Sequence, residues 1–268
     1  MPAGRHVENY EWRIKMKLGL VQYSPVWEEP EENILKIQDL IKQSSGNFDM
    51  LVFPEMTLTG FTMQSKKYAE EIDGVGTKYF MHLSAKLKTN IFAGIIEKDN
   101  GKIYNSLVHF DSNGLIKARY RKIHPFSYAK EDKYYDAPKE IVATRIEQTK
   151  IGMSVCYDLR FPELYRLYAK ERAEILIDIA NWPVPRIDHW KSLLKARAIE
   201  NQAFMIGVNR VGSDPFNQYN GCSAAFDPMG KEIVLIENEE KIIETEIDLN
   251  VVSATRTKLP FLQDIKLI

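Results

Sequence analysis

The chain has 268 residues, long enough to bury a substantial core in one large domain or two small ones. Hydrophobic residues make up 44% and charged residues 27%, and 36 basic against 37 acidic side chains leave a formal charge of −1. That balance shows no basic excess for nucleic acid and no acidic tail, no apolar run reaches the length of a membrane span, and two cysteines outside any C-x-x-C pair argue against a disulfide framework or a zinc ribbon and fit a reducing cytoplasm.

The first fifteen residues are polar and lack the apolar stretch of a secretory signal. Met16 stands just before the first strand-like run, so residues 1–15 are expected to form an N-terminal extension and 16–268 a single domain. Lys17 to Tyr23 predicts a strand. Pro30-Glu31-Glu32 predicts a helix start, because proline is tolerated in a first turn and acids suit the positive end of the helix. Ile34, Ile37, Leu40 and Ile41 then mark one helical face. Residues 50–53 are continuously apolar, like a strand buried on both faces, and end in Pro54-Glu55. A carboxylate there points into the usual ligand crevice of an α/β sheet. A polar-aromatic loop from Thr57 to Phe61 follows. Residues 77–88 read as a helix and 91–96 as a second buried strand. Strands over 102–110 and 115–120, separated by the turn Asp111-Ser-Asn-Gly, predict a β-hairpin. Lys122 closes that hairpin and leads into a loop, stiffened by Pro125, that runs to Glu131.

Residues 150–162 read K-I-G-M-S-V-C-Y-D-L-R-F-P, a strand followed by a helix start. Cys156 sits at the elbow between them. A sulfur there can face a cleft, with neighbouring backbone N–H groups facing a developing oxyanion; a buried structural thiol is the other reading. Further on, 161–172 reads as a helix, 174–180 as a strand, Asn181-Trp182-Pro183 as a loop, 186–202 as a helix and 204–208 as a strand. Residues 212–221 form a loop rich in Gly, Asn and Pro that suits a mobile flap. Strands over 222–226, 232–236 and 241–247 complete a mixed α/β chain without an internal boundary.

Glu55, Lys122 and Cys156 each follow a predicted strand, and strand ends of one sheet lie close together. Such a trio has a coherent chemistry. A thiol must lose its proton to attack a carbonyl carbon. A carboxylate takes that proton when burial raises its pKa, and an ammonium, assisted by the Tyr157 N–H, holds the tetrahedral oxyanion. No histidine, metal ion or cofactor is needed. His124 reads as a loop-fixing residue before Pro125, and Cys222, inside a strand, as a packed thiol.

Three blocks, Phe53-Pro-Glu55, Arg121-Lys122-Ile-His-Pro and Gly152-Met-Ser-Val-Cys156-Tyr-Asp-Leu-Arg-Phe-Pro-Glu163, occur in this order and resemble the signatures of the nitrilase superfamily of carbon–nitrogen hydrolases. The resemblance spans residues 16–260. It implies a four-layer α-β-β-α sandwich with two mixed β-sheets, a Glu55–Lys122–Cys156 triad supported by Glu131, and association into homodimers or larger assemblies. Three further stretches, 180–190, 193–202 and 208–214, resemble the ω-amidase branch, whose members hydrolyse the terminal amide of 2-oxoglutaramate and 2-oxosuccinamate. The implied partner is therefore a small amide, bound by Tyr157, Arg160, Asn181, Trp182, Arg186 and Phe61. In that set Arg160 and Arg186 would meet the substrate carboxylate, and Trp182 and Phe61 would form an apolar wall, with packing in the core or an interface as the other reading for both aromatics. A structural ion pair is the alternative for Arg160. An N-carbamoyl amine, a nitrile or another amide is the alternative substrate, and a scaffold with a degenerate site is the alternative to an enzyme.

Overall fold

The computed structural model describes residues 15–267. The segment expected to be an extension thus lies outside the described residues except for Lys15, which opens the first strand. In chain order the first half runs β1 (Lys15–Gln22), α1 (Pro30–Gln43), β2 (Met50–Val52), α2 (Ser65–Tyr68), α3 (Val75–Leu87), β3 (Asn90–Asp99), β4 (Lys102–Phe110) and β5 (Ile116–Arg121). The second half runs β6 (Ala143–Ile146), β7 (Thr149–Val155), α4 (Pro162–Lys170), β8 (Ile175–Ala180), α5 (Ile187–Asn201), β9 (Phe204–Asn209), β10 (Val211–Ser213), β11 (Gln218–Phe226), β12 (Glu232–Glu237), β13 (Lys241–Asp248) and α6 (Asn250–Lys258).

Two mixed sheets result. The first has the order β13-β1-β2-β3-β4-β5, with β1, β2 and β3 parallel and the remaining pairs antiparallel. The second has the order β10-β11-β9-β8-β7-β6, with β12 also paired to β11 and with β7, β8 and β9 parallel. Short strands with continuous apolar runs explain the layering. Along β1 to β4, Leu18, Leu20, Met50, Val52, Phe92 and Leu107 face the core shared with the second sheet. Their neighbours Val21, Leu51, Ile91, Ala93 and Val108 face a separate core under α1 and α3. Alternation by two thus buries both faces of the sheet. β4 lies over β7 and β5 over β6, while α5 covers β9 and β11 with α4 beside it. This is the four-layer α-β-β-α order, and the expected fold class holds.

Some elements differ from the sequence reading. The hairpin of β4 and β5 is present, but β3 and β4 form another on the two-residue loop Asn100-Gly101, with φ of 49° and 78°. Both positive values suit the tight turn that an Asn-Gly pair prefers. The stretch 212–221 is largely a hairpin rather than a loop, because β10 pairs with the start of β11. Asp214 closes it, accepting the N–H groups of Phe216 and Asn217 at 2.8 Å each. Neither β6 nor α6 is evident in sequence. α6 is half β-branched and polar, and tertiary contacts stabilise it: Arg256 donates to the carbonyls of Ala173 and Gln202 at 2.5 and 3.0 Å.

His109 ties the two sheets together. It is fully buried, Nδ1 lies 2.8 Å from Thr144 Oγ1, and the ring stacks on Phe92 at 4.3 Å. Burial pushes its pKa down to about 4. The unfolded chain takes up this proton near 6.5 and the folded chain only near 4, so the contribution is fully present above 6.5 and is lost as pH falls between those values. A loss of up to roughly 3 kcal/mol is expected over that window. Urea titrations at stepped pH should show it, and His109→Gln should flatten it; an unchanged acid limb in the variant contradicts the assignment.

Candidate active site

β2 supplies the first residue. Glu55 follows it through Phe53, whose N–H still bonds the Phe92 carbonyl, and Met56 takes a left-handed φ of 46° that turns the chain. Thr57 holds the turn in place: its Oγ1 donates to the Pro54 carbonyl and accepts the Gly94 N–H, and the Tyr23 hydroxyl donates to the Thr57 carbonyl. A Cβ on Gly94 would lie 2.4 Å from the Met56 nitrogen, so only glycine lets β3 approach the turn.

β5 supplies Lys122, whose N–H bonds the Asn105 carbonyl of β4. Its side chain is 2% exposed, and Nζ donates to Glu55 Oε1 at 2.8 Å and to Glu131 Oε2 at 2.9 Å. Asn105 joins the same cluster, its Nδ2 bridging Glu55 Oε1 at 2.7 Å and Glu131 Oε1 at 2.9 Å. The backbone N–H of Asn181 donates to Glu55 Oε2 at 2.9 Å, and that of Phe126 to Glu131 Oε2 at 2.6 Å. Every carboxylate oxygen is thus met by donors.

Cys156 comes from β7, in the other sheet. It has φ of 53°, a strained value for a non-glycine residue, and opens a short 3-10 turn over Cys156–Arg160. Tyr157 lies in the first residues of that turn, where an N–H has no intrahelical acceptor. Two buried aspartates hold the elbow. Asp178 Oδ1 accepts the Cys156 N–H at 2.9 Å, and Asp158 accepts the Val155 N–H at 3.1 Å. Asp158 also accepts the Tyr120 hydroxyl at 2.8 Å and the N–H and Nδ1 of His124 at 3.0 and 2.7 Å. It therefore ties the elbow of one sheet to the Lys122 loop of the other. The expectation that one sheet's strand ends bring the trio together is corrected here: β2 and β5 belong to the first sheet and β7 to the second. The face-to-face packing of the sheets brings them together.

A cavity of about 250 Å³ lies over this junction and is lined by Lys122, Cys156, Tyr157, Arg160, Asn181, Trp182, Arg186 and Phe61 among others. All six residues expected to bind substrate line it. Glu55 and Glu131 lie behind Lys122, fully buried. Arg160 makes no ion pair with a carboxylate among the described residues; its guanidinium stacks over Trp182 at 4.7 Å and reaches His189 Nδ1 at 3.3 Å. Arg186 stacks over Phe126 at 5.5 Å. No imidazole bonds the Cys156 sulfur among the described residues, since His124 is held by Asp158 and His189 faces Arg160. Cys222 is buried in β11. The sequence reading missed Asn105, Asp178 and the wall residues Phe126, Phe216 and Tyr219. Asn105 did carry a signal: asparagine is depleted in strand interiors, so one in the middle of β4 points to a polar task.

Burial alone would push the Lys122 ammonium down, but Glu131 and Glu55 hold it well above its ordinary value. Burial raises Glu55, and the Lys122 charge with the surrounding donors outweighs it, leaving that carboxyl below its usual range. Burial and the nearby Glu55 charge push Glu131 up. Burial and the same charge push the Cys156 thiol well up, with Lys122 pulling the other way. The resting site therefore holds a thiol beside a carboxylate.

The carbon–nitrogen hydrolase family profile matches residues 17–257. The chain is similar to a 2-oxoglutaramate amidase of Bacillus subtilis, at 35% identity over 94% of this chain and 98% of the relative. It is similar to the omega-amidase YafV of Yersinia enterocolitica, at 33% identity over 93% and 96%. Among solved structures it resembles a CN-hydrolase superfamily protein of Xanthomonas campestris, described with an arsenic adduct in its active site. That match has a TM-score of 0.90 and 31% identity, covering 95% of this chain and 98% of the other.

The raised thiol makes a prediction independent of substrate. Alkylation of Cys156 by iodoacetamide should be slow at neutral pH and still rising above the free-thiol value of about 8.5. A plateau reached below that value, read by mass spectrometry of the Cys156 peptide, would contradict a thiol resting state.

Proposed function

The chain belongs to the carbon–nitrogen hydrolase family, and within it we propose that it is an ω-amidase, releasing ammonia from the terminal amide of a short 2-oxo acid such as 2-oxoglutaramate or 2-oxosuccinamate. One observation carries the substrate class. The cavity that holds Cys156 is lined by two arginines, Arg160 and Arg186, without carboxylate partners among the described residues. A substrate carboxylate satisfies them with paired donors, whereas a neutral amide or nitrile leaves both cations unmatched. The small volume suits a short linear acid, and Trp182 and Phe61 supply the apolar wall.

The proposed chemistry follows from the charge arrangement. The substrate carbonyl enters between Cys156, Lys122 and the Tyr157 N–H. As Lys122 turns part of its charge to the carbonyl oxygen, its hold on Glu55 weakens and that carboxylate becomes a better base. Glu55 takes the thiol proton, and the thiolate forms a C–S bond while Lys122 and the N–H hold the oxyanion. Glu55 passes the proton to the departing ammonia as the C–N bond breaks, leaving a thioester on Cys156. Glu55 then takes a proton from water, the hydroxide attacks, and the acid leaves as the proton returns to sulfur. Glu131 has donors on both oxygens and no exposure, so its part is to hold Lys122 in position.

Both cysteines are free, which supports work in a reducing cytoplasm. No helix among the described residues is long and apolar enough to cross a membrane. Homodimerisation belongs to the same reading and is measured by sedimentation.

Cys156→Ala, Glu55→Gln and Lys122→Ala should each lower ammonia release by about 100-fold or more, the scale of one lost oxyanion donor. Arg160→Ala and Arg186→Ala should raise KM for 2-oxoglutaramate much more than for an uncharged aliphatic amide. The decisive comparison sets 2-oxoglutaramate against an N-carbamoyl amine and an uncharged amide. Wild-type release from Cys156→Ala rejects the mechanism, and a preference for the uncharged amide rejects the substrate class.

A further inference from the structure

Asp178 is fully buried on β8, directly behind the cysteine elbow, and the mechanism above leaves its charge unused. It sits in register with Ser154 of β7 on one side and with Gly207 of β9, which has no side chain, on the other. Oδ1 accepts the Cys156 N–H. Oδ2 lies 2.7 Å from Ser154 Oγ and 2.9 Å from the Tyr165 hydroxyl of α4, and those two hydroxyls lie 2.7 Å from each other. Ser154 Oγ is also 2.8 Å from the Ile177 carbonyl, which can only accept.

The protons can be counted. Four short contacts join these oxygens, and Ser and Tyr supply two protons. The single serine proton can serve the Ile177 carbonyl or Asp178 Oδ2, but not both. With Asp178 ionised, two of the four contacts therefore hold no hydrogen. A proton on Oδ2 donated to Ser154 fills a third contact, because it frees the serine proton for the Ile177 carbonyl while Tyr165 donates to one of its two partners. The charged surroundings agree. Asp158 and Cys156 face Asp178 from the elbow, Tyr165 from α4 and Glu55 from the first sheet, none of them cationic. Lys122 is spent on Glu55 and Glu131, and Arg197 of α5 donates to the Leu159 carbonyl and pairs with Glu200. Burial, with the Asp158 and Glu55 charges, pushes the carboxyl well up against the opposite pull of the Ser154 and Tyr165 hydroxyls.

We propose that Asp178 is a positioning residue held as the neutral acid, accepting the Cys156 N–H on one oxygen and donating to Ser154 from the other, so that the strained elbow is fixed without a negative charge behind the thiol. An anion in that place would oppose both the thiolate and the oxyanion. This inference rests on Cys156 as nucleophile; its tests read the carboxyl and the thiol directly, whereas ammonia release from Cys156→Ala tests the nucleophile itself.

The test compares Asp178→Asn, Asp178→Ala and wild type. Asparagine keeps an acceptor for Cys156 and a donor for Ser154, so it should rescue kcat to within about threefold and leave the pH profile of Cys156 alkylation unmoved. Alanine should lower kcat about 10- to 100-fold at a nearly constant KM, since it removes the acceptor that aligns the elbow. Infrared spectra of wild type at neutral pH should show a protonated-carboxyl stretch that shifts with isotope-labelled aspartate, a readout that does not require the variants to fold. An alkylation profile displaced to lower pH in Asp178→Asn overturns the proposal, because it means that an anion was removed. So does an Asp178→Asn kcat as low as that of Asp178→Ala, or a labelled spectrum without the protonated band.

Discussion

A single ammonium, Lys122, is buried between two carboxylates, and the rest of the site is arranged around the cost of keeping it there. Taking ions out of water costs several kcal/mol each unless geometry and hydrogen bonding restore what water supplied. Here the restoration is dense. Lys122 donates to both Glu55 and Glu131, and Asn105, Asn181 and the Phe126 N–H complete the carboxylates. The donors come from β4, from the end of β8 and from the loop after β5, so the cluster can form only once both sheets are assembled. Loss of one partner would leave an uncompensated charge in a buried place, which is more damaging than absence of the whole set.

The backbone bears a matching strain. Met56 and Cys156 both take left-handed φ values, of 46° and 53°, at the two turns that present the carboxylate and the thiol. Each is overdetermined by its surroundings. Thr57, Tyr23 and Gly94 hold the first turn; Asp158 and Asp178 hold the second. Strain of this kind persists only where neighbours fix it, and a reactive group at a sharp turn gains exposure to a cleft that a regular strand would deny it. Asp158 does more than brace its own turn. By accepting from Tyr120 and His124 it sets the spacing between the two sheets at the point where their residues meet.

The same electrostatics separate a resting state from a working one. A lone carboxylate held low beside a thiol held high does not exchange a proton with it. A carbonyl that draws on Lys122 changes both values together, raising the basicity of Glu55 and stabilising the charge that the thiolate creates. In the proposed mechanism the reactive form is thereby tied to the presence of a substrate.

The amino-acid sequence by itself determined the class of layer and pointed to the groups proposed here as reactive. Apolar runs such as 50–53 and 175–177 read as strands buried on both faces, and Pro162 and Pro30 mark helix starts through local sterics that do not depend on the fold. Glu55, Lys122 and Cys156 were visible because each follows a strand in a recognisable block. What remained hidden was non-local. The hairpin over 211–220 has little apolar patterning and is set by Asp214 and by pairing with β11, while α6 depends on what Arg256 reaches across the chain. Asp178 reads as one polar residue in a buried strand, and nothing nearby in sequence announces that it faces Ser154 or caps the Cys156 N–H. Only the tertiary structure decided that the carboxylates and the ammonium come from one sheet and the thiol from the other. Facing of two sheets is a choice among contacts distant in sequence, and local periodicity carries no term for it.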